Sequence, residues 1–236
     1  MSRRLLISGG EGRFAREIIK NNSEYEIYAP SKSEMDICDI HSIRRAVYKF
    51  NPDIFLHPAG LTRPMVKHVE DPEASIMLNI IGTSNACLAC IERGKKIVYI
   101  STDYVYPGTI GNYSEGDAVL PVNRYAWSKL GGECAVKLYD NSLILRVCMT
   151  ERPFVHPKAL VDAQKSLMYI DEAAKVCLKV MDQTGIINIG GEPTTLYDFA
   201  KQERSDIKKI YRRDIKDVAM AKDSTMNIQK LRSILG

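Results

Sequence analysis

Short apolar runs alternate along the chain with longer stretches whose apolar residues recur at helical spacing. Arg4 to Ser8, Tyr25 to Tyr28, Met35 to Asp39, Asp53 to His57, Lys95 to Ser101 and Ser142 to Arg146 read as strands. Arg16 to Asn21, His41 to Phe50, Ala74 to Arg93 and the stretch around Tyr125 read as helices between them. This alternation predicts an α/β fold, a Rossmann-like doubly wound parallel sheet with helices on both faces. Ligands of such a sheet meet its carboxyl edge, where Gly9, Ala29, Gly60 and Thr102 are expected to converge. Past Arg146 the pattern weakens. Thr150 to Pro157 reads as a loop, Ile170 to Met181 as a helix, Ile186 to Ile189 as a strand, Leu196 to Lys201 as a helix begun near Thr194, and Ile228 to Leu235 as a closing helix.

The first strand runs into Gly9-Gly-Glu-Gly12-Arg13-Phe14-Ala15 and then a helix, an order that aims backbone N–H groups at a pyrophosphate. Gly9 and Gly12 permit the turn, and small Ala15 lets helix and strand pack. After the second strand, an NAD-selective site offers a carboxylate to the ribose; this chain offers Ser31 and Lys32, which suit a 2′-phosphate, so NADPH is preferred over NADH. Arg13 is the alternative partner for that phosphate. Asp39, at the end of its short strand, is placed to accept from adenine, and Pro58 to Thr62 lets backbone approach a ligand.

Tyr125 and Lys129 stand four residues apart, so phenol and ammonium share one helix face. A cation beside a phenol favours the phenolate and brings an ordinary pKa of about 10 toward neutrality. A hydroxyl from Thr102, at the end of the apolar run before it, can hold a substrate oxygen beside that phenol while Tyr125 protonates it. His57 reads as a hydrogen-bonded strand end rather than a catalyst. His41, His68 and His156 have no metal-ligand spacing, and no metal is expected.

Composition narrows the class. The chain has 236 residues, 45% hydrophobic and 26% charged, with net charge +4, enough for one domain with a real core. The basic stretch Lys201 to Lys216 is interleaved with acids and reads as a solvated helix face, so no nucleic-acid partner is expected. Six scattered cysteines without a signal peptide point to free thiols and a cytoplasmic location. No run is expected to reach the ~18 apolar residues that span a bilayer, so no membrane is expected either.

These residues carry a resemblance. Val98 to Tyr106, Pro121 to Glu133, Leu143 to Arg146, Gly185 to Gly191 with Leu196 to Ala200, and Lys230 to Gly236 resemble the extended short-chain dehydrogenase/reductases, and within them the dTDP-4-dehydrorhamnose reductase branch. The resemblance implies catalytic roles for Thr102, Tyr125 and Lys129. It implies cofactor contacts at Gly12, Arg13 and Phe14, at Asp39 and Ile40, and at Ala59, Gly60, Leu61 and Thr62, and sugar contacts at Thr102 and Asp103. Met149 stands where the branch usually has a pocket-lining Trp. The segment from Arg146 to Asp162 is shorter than usual, and an arginine-proline pair is missing from Val218 to Lys222.

The implied activity is NADPH-dependent reduction of a nucleotide-linked 4-keto-6-deoxy sugar, as in dTDP-rhamnose biosynthesis, with hydride delivered to the carbonyl and the proton from Tyr125. Arg63, Arg152, Lys158 and Lys165 are candidates for the nucleotide diphosphate. A nucleotide-sugar epimerase or dehydratase, and a non-catalytic NADP-binding regulatory subunit, are the alternatives. The expected organisation is an NADP-binding domain over 1–149 with the catalytic residues and a reduced substrate lobe over 150–236, packed as one unit. Homodimerisation through sheet-flanking helices is common in the superfamily, without fixing the surface used here.

Overall fold

A computed structural model describes residues 2–236. Its elements in chain order are β1 (Arg3–Ile7), α1 (Arg13–Asn21), β2 (Tyr25–Tyr28), α2 (Ile40–Phe50), β3 (Ile54–His57), α3 (Lys67–Glu70), α4 (Pro72–Ile76), α5 (Gly82–Glu92), β4 (Lys96–Thr102), α6 (Arg124–Lys137) and β5 (Ser142–Val147). Then come β6 (Met149–Thr150), β7 (Lys158–Leu160), β8 (Gln164–Lys165), β9 (Met168–Tyr169), α7 (Ile170–Val180), β10 (Gly185–Ile189), β11 (Thr194–Thr195), α8 (Leu196–Lys201), β12 (Lys208–Ile210) and α9 (Gln229–Leu235).

The central sheet has six strands in the order β10-β5-β4-β3-β1-β2, all parallel. Strand order reverses between β1 and β3, the crevice where such sheets bind dinucleotides. Both faces are covered, so β3, β4 and β5 are buried along their whole length. On one face α1 and α7 pack through Phe14, Ile18, Ala173, Ala174 and Cys177. On the other, α2 and α5 pack through Ile43, Val47, Ala86 and Cys90.

Several expectations are corrected. Met35 to Asp39 is a turn, not a strand: Asp36 accepts the Cys38 N–H at 2.9 Å, and Asn85 holds the Ile37 carbonyl at 3.0 Å, so the segment has no ladder to join. The division at 149/150 does not follow the layers. Residues beyond it return to the first domain, since β10 pairs with β5 and α7 packs on the sheet core. Thr194 precedes α8 as expected, and Thr195 caps it, accepting the Asp198 N–H at 3.0 Å. Lys201 to Lys216 is not a helix face; α8 ends at Lys201 and the stretch forms turns and β12.

Pro72–Glu92 is one continuous 21-residue helix containing an 18-residue window of mean hydropathy 1.6, so a run of membrane-spanning length and composition does exist. Ala86, Cys87, Ala89 and Cys90 are buried on the face packed on the sheet, while Ile76, Ile81, Leu88 and Ile91 are exposed. Its α4 and α5 halves are joined by a π turn, Met77–Ile81. The loop from Pro107 to Asn123 is tied to the C-terminal segment: Thr225 Oγ1 accepts the Asn112 N–H at 2.8 Å, and Tyr113 bridges Met226.

Candidate active site

The site is built at the carboxyl edge, where β1, β3 and β4 end. Gly9 adopts φ +61°, the left-handed conformation a glycine supplies without strain, and its carbonyl accepts the Gly12 N–H at 2.8 Å. A Cβ on Gly10 would collide with the Ala29 carbonyl, so the first turn lies hard against the segment after β2. Helix α1 starts at Arg13, earlier than the apolar pattern predicts. Gly12 is its N-cap and offers no side-chain acceptor, which leaves first-turn N–H groups for another partner.

Beneath this turn a buried chain of hydrogen bonds fixes the next loop. His57 Nδ1 meets Ser8 Oγ at 2.8 Å and Nε2 meets Thr83 Oγ1 at 3.1 Å. Burial, with the Lys129 charge adding to it, lowers the His57 pKa to about 3, so the ring is neutral. It is the hydrogen-bonded strand end that the sequence predicts. Asn79, inside the π turn, clamps Leu61, accepting its N–H at 2.7 Å and donating to its carbonyl at 2.9 Å. A Cβ on Gly60 would come within 2.6 Å of Asn79 Oδ1, so only glycine fits above the clamp. The same amide donates to Ser128 on α6 at 2.7 Å, tying the Ala59–Thr62 loop to the helix of Tyr125 and Lys129.

Asn123 caps α6 by accepting the Ala126 N–H at 2.9 Å, which sets where Tyr125 emerges. Burial pushes the Tyr125 phenol up to about 12, contact with the Thr102 hydroxyl pulls it down, and Asp103 pushes it up. Lys129 is buried, its Nζ 4.2 Å from the centroid of the Tyr99 ring, and Tyr99 Oη donates to the Lys129 carbonyl at 3.2 Å. Burial lowers Lys129 to about 7 against a raising effect of Glu133. Thr102 and Tyr125 therefore touch, with Lys129 one turn along α6: a hydroxyl, a protonated phenol, and an amine that changes charge near neutrality.

The other expected site residues divide. Ser31 donates from both N–H and hydroxyl to Glu34 at 2.8 Å, leaving Lys32 as the exposed cation of that turn. Asp39 caps α2 and pairs with Arg45 at 3.7 Å, and Ile40 opens that helix, so the carboxylate expected at adenine is engaged locally. Arg13 and Arg63 both meet one carboxylate, Glu151. Arg152 is drawn to Asp171, Glu172 and Glu203, and Lys158 lies exposed on β7. Met149 packs partly buried against the sheet core.

Two expected ligand contacts are engaged with each other. Asp103 is 2% exposed and turned inward, where it pairs with Lys165, itself 5% exposed. Among the described residues no group of three or more His, Cys, Asp or Glu converges on a common point.

Sequence reasoning missed three residues that organise the site. Glu133 and Arg146 form a fully buried ion pair at 2.8 Å, and Glu133 also takes the Ser101 hydroxyl, joining α6 to β4 and β5 behind Thr102. The signal was present: Glu133 is four residues past Lys129 and so continues the face of Tyr125 and Lys129. Glu151, in a loop, gave no periodic signal.

A family profile described as RmlD substrate binding domain matches residues 3–201. The chain belongs to this family. Among curated relatives, methionine adenosyltransferase 2 subunit beta from Rattus norvegicus is 31% identical over 158 residues, covering 62% of this chain and 46% of that protein. A dTDP-4-dehydrorhamnose reductase from Aggregatibacter actinomycetemcomitans is 28% identical over 226 residues, covering 84% of this chain and 76% of that one. Among solved structures, the dTDP-4-dehydrorhamnose reductase of Bacillus anthracis str. Ames in complex with NADP superposes with a TM-score of 0.90 at 25% identity, covering 99% of this chain and 93% of that one. This member of the RmlD family spans about half the length of the first curated relatives it matches.

Proposed function

We propose that the chain is an NADPH-dependent reductase of a nucleotide-linked 4-keto-6-deoxy sugar. The observation that carries this reading is the contact of Tyr125 with the Thr102 hydroxyl at the carboxyl end of β4, with Lys129 one turn along α6. The reductase relatives and the NADP in the Bacillus anthracis structure support it.

The turn fits a dinucleotide, because Gly10 backs onto the Ala29 carbonyl where a Cβ has no room and α1 opens without a side-chain cap. Gly12, Arg13 and Phe14 would hold the pyrophosphate, Lys32 with Ser31 the 2′-phosphate, Ala59 to Thr62 the ribose and nicotinamide side, and Lys129 the ribose hydroxyls. NADPH, when bound, supplies hydride for the carbonyl carbon. Thr102 donates to the ketone oxygen, Tyr125 delivers the proton to it, and a charged Lys129 makes that phenol more acidic. Arg63 is the candidate for the substrate diphosphate. Exposed Ile81, Leu88 and Ile91 on the Pro72–Glu92 helix and exposed Trp127 on α6 support a homodimer through these helices, and six free thiols support a reducing, cytoplasmic setting.

The test follows NADPH absorbance with dTDP- and UDP-linked 4-keto-6-deoxy sugars, with Tyr125→Phe alongside. Turnover that falls about 100- to 10,000-fold in the variant supports the reading. Tight NADPH binding without turnover of any such sugar rejects it. The second reading is then favoured, a subunit of another enzyme, as the names of the first curated relatives suggest.

A further inference from the structure

The proposed chemistry leaves a buried charge pair beside Tyr125 without a role. Asp103 Oδ2 is ion-paired with Lys165 Nζ and accepts the Ser224 hydroxyl at 2.7 Å, while Oδ1 accepts the Thr102 hydroxyl at 3.3 Å. Lys165 comes from β8, and its Nζ lies 3.6 Å from the centroid of the Tyr104 ring. That ring in turn meets Tyr125 edge-on at 6.4 Å. One carboxylate and one ammonium, both withdrawn from water, thus stand one aromatic ring away from the phenol. Burial works against the Lys165 charge, but Asp103 outweighs it and holds the ammonium protonated.

We propose that Lys165 is a positioning residue for the Tyr125 chemistry: it neutralises Asp103 so that the phenol exchanges its proton beside a balanced pair instead of a bare carboxylate. The inference deepens the reductase reading and rests on it for Tyr125 as proton donor. The physical case is one of sign. A lone carboxylate near a phenol disfavours phenolate, and a lone ammonium favours it. At this site Asp103 raises and Lys165 lowers the Tyr125 pKa, after the larger effect of burial.

The remaining titratable groups are accounted for. Lys129 is one turn along the same helix, and His68 of α3 places its ring 5.2 Å from Tyr125 with Nδ1 bonded to Ser75 at 2.6 Å. Cys148 lies near Asp103, its thiol held un-ionised by burial. Beyond the raising effect of burial, Cys148 and the Tyr104 phenol also feel the pair, Asp103 raising and Lys165 lowering each, so the Tyr125→Phe blank is needed to isolate the Tyr125 signal. The pair also has a mechanical role, since Thr102 and Ser224 both bond Asp103; loss of one partner strands the other charge in the interior.

The experiment compares Lys165→Met, Asp103→Asn and the double variant. Tyrosinate absorbance of the ligand-free protein is titrated against pH, with Tyr125→Phe as the blank, and the pH profile of turnover is measured in parallel. Lys165→Met is expected to move the Tyr125 ionisation up by about one pH unit, Asp103→Asn down by about as much, and the double variant back to within a few tenths. The neutral double variant keeps the volume of the pair and serves as the folded reference should a single variant unfold; coincidence of its ionisation with the wild-type value is then the expected result, and a shift of a unit or more overturns the proposal. Shifts that are absent, or of one sign in both single variants, also overturn it. Because the titration needs no substrate, opposite shifts in a protein that turns nothing over would reject the reductase reading and leave the charge balance standing. An active enzyme without the shifts rejects the charge balance alone.

Discussion

Arg63 Nη1 lies 2.7 and 2.8 Å from the two carboxylate oxygens of Glu151. Arg13, from the glycine turn, reaches the same carboxylate. Burial favours the neutral acid, but Arg63 and then Arg13 outweigh it and hold the Glu151 pKa below its ordinary value, so the latch is charged at neutral pH. A phosphate approaching either arginine competes with this carboxylate. Glu151→Gln is therefore expected to tighten NADPH about two- to fivefold, the scale of a partly exposed ion pair, read by fluorescence titration. Weaker binding would show that Glu151 supports the site.

Lys129 stores instability. Its pKa is about 7 in the fold against ~10.5 unfolded, so the unfolded chain binds more protons between those values and stability rises with pH across that window. Lys129→Met should remove this slope and stabilise the protein at pH 7 by on the order of a few kcal/mol, while abolishing turnover. Urea unfolding at pH 7 and pH 9 checks both parts.

The proposed 2′-phosphate preference is expected to depend on Lys32. Lys32→Ala should raise the Kd for NADPH about five- to tenfold and leave that for NADH within about twofold, since the lost charge faces only the extra phosphate. Equal losses for both dinucleotides would place Lys32 elsewhere on the cofactor.

Arg146 is a matter of stability. Arg146→Met leaves Glu133 buried without its partner, 3% exposed, and should cost about 3–5 kcal/mol in urea unfolding. A smaller cost accompanied by unchanged turnover would show that Ser101 alone satisfies the carboxylate.

The parts of the fold set by local pattern were readable in the chain. The β1 run and the Gly9–Gly12 turn carry their geometry within about ten residues, and Tyr125 and Lys129 need only helix periodicity to share a face. The burial of Lys165 was not legible, because it is decided by Asp103, 62 residues earlier in the chain. Met35 to Asp39 failed as a strand for a similar reason. Its apolar residues Met35 and Ile37 are buried, as the pattern requires, but Ile37 packs on Gly82 and its carbonyl is held by Asn85. Periodicity reports burial, not which backbone partner a segment finds.

The π turn at Met77–Ile81 has a consequence for insertions and deletions. A π turn holds one residue more than an unbroken i to i−4 ladder would, while leaving the helices on either side in phase. Deleting one residue there would yield a more regular helix, with Ala86 and Cys90 still facing the sheet. What would go is Asn79's grip on Leu61 and Ser128. The helix is thus a register device: its surplus residue is slack taken up beneath the Gly60 loop, and shortening it would leave the core intact while uncoupling that loop from the helix of Tyr125.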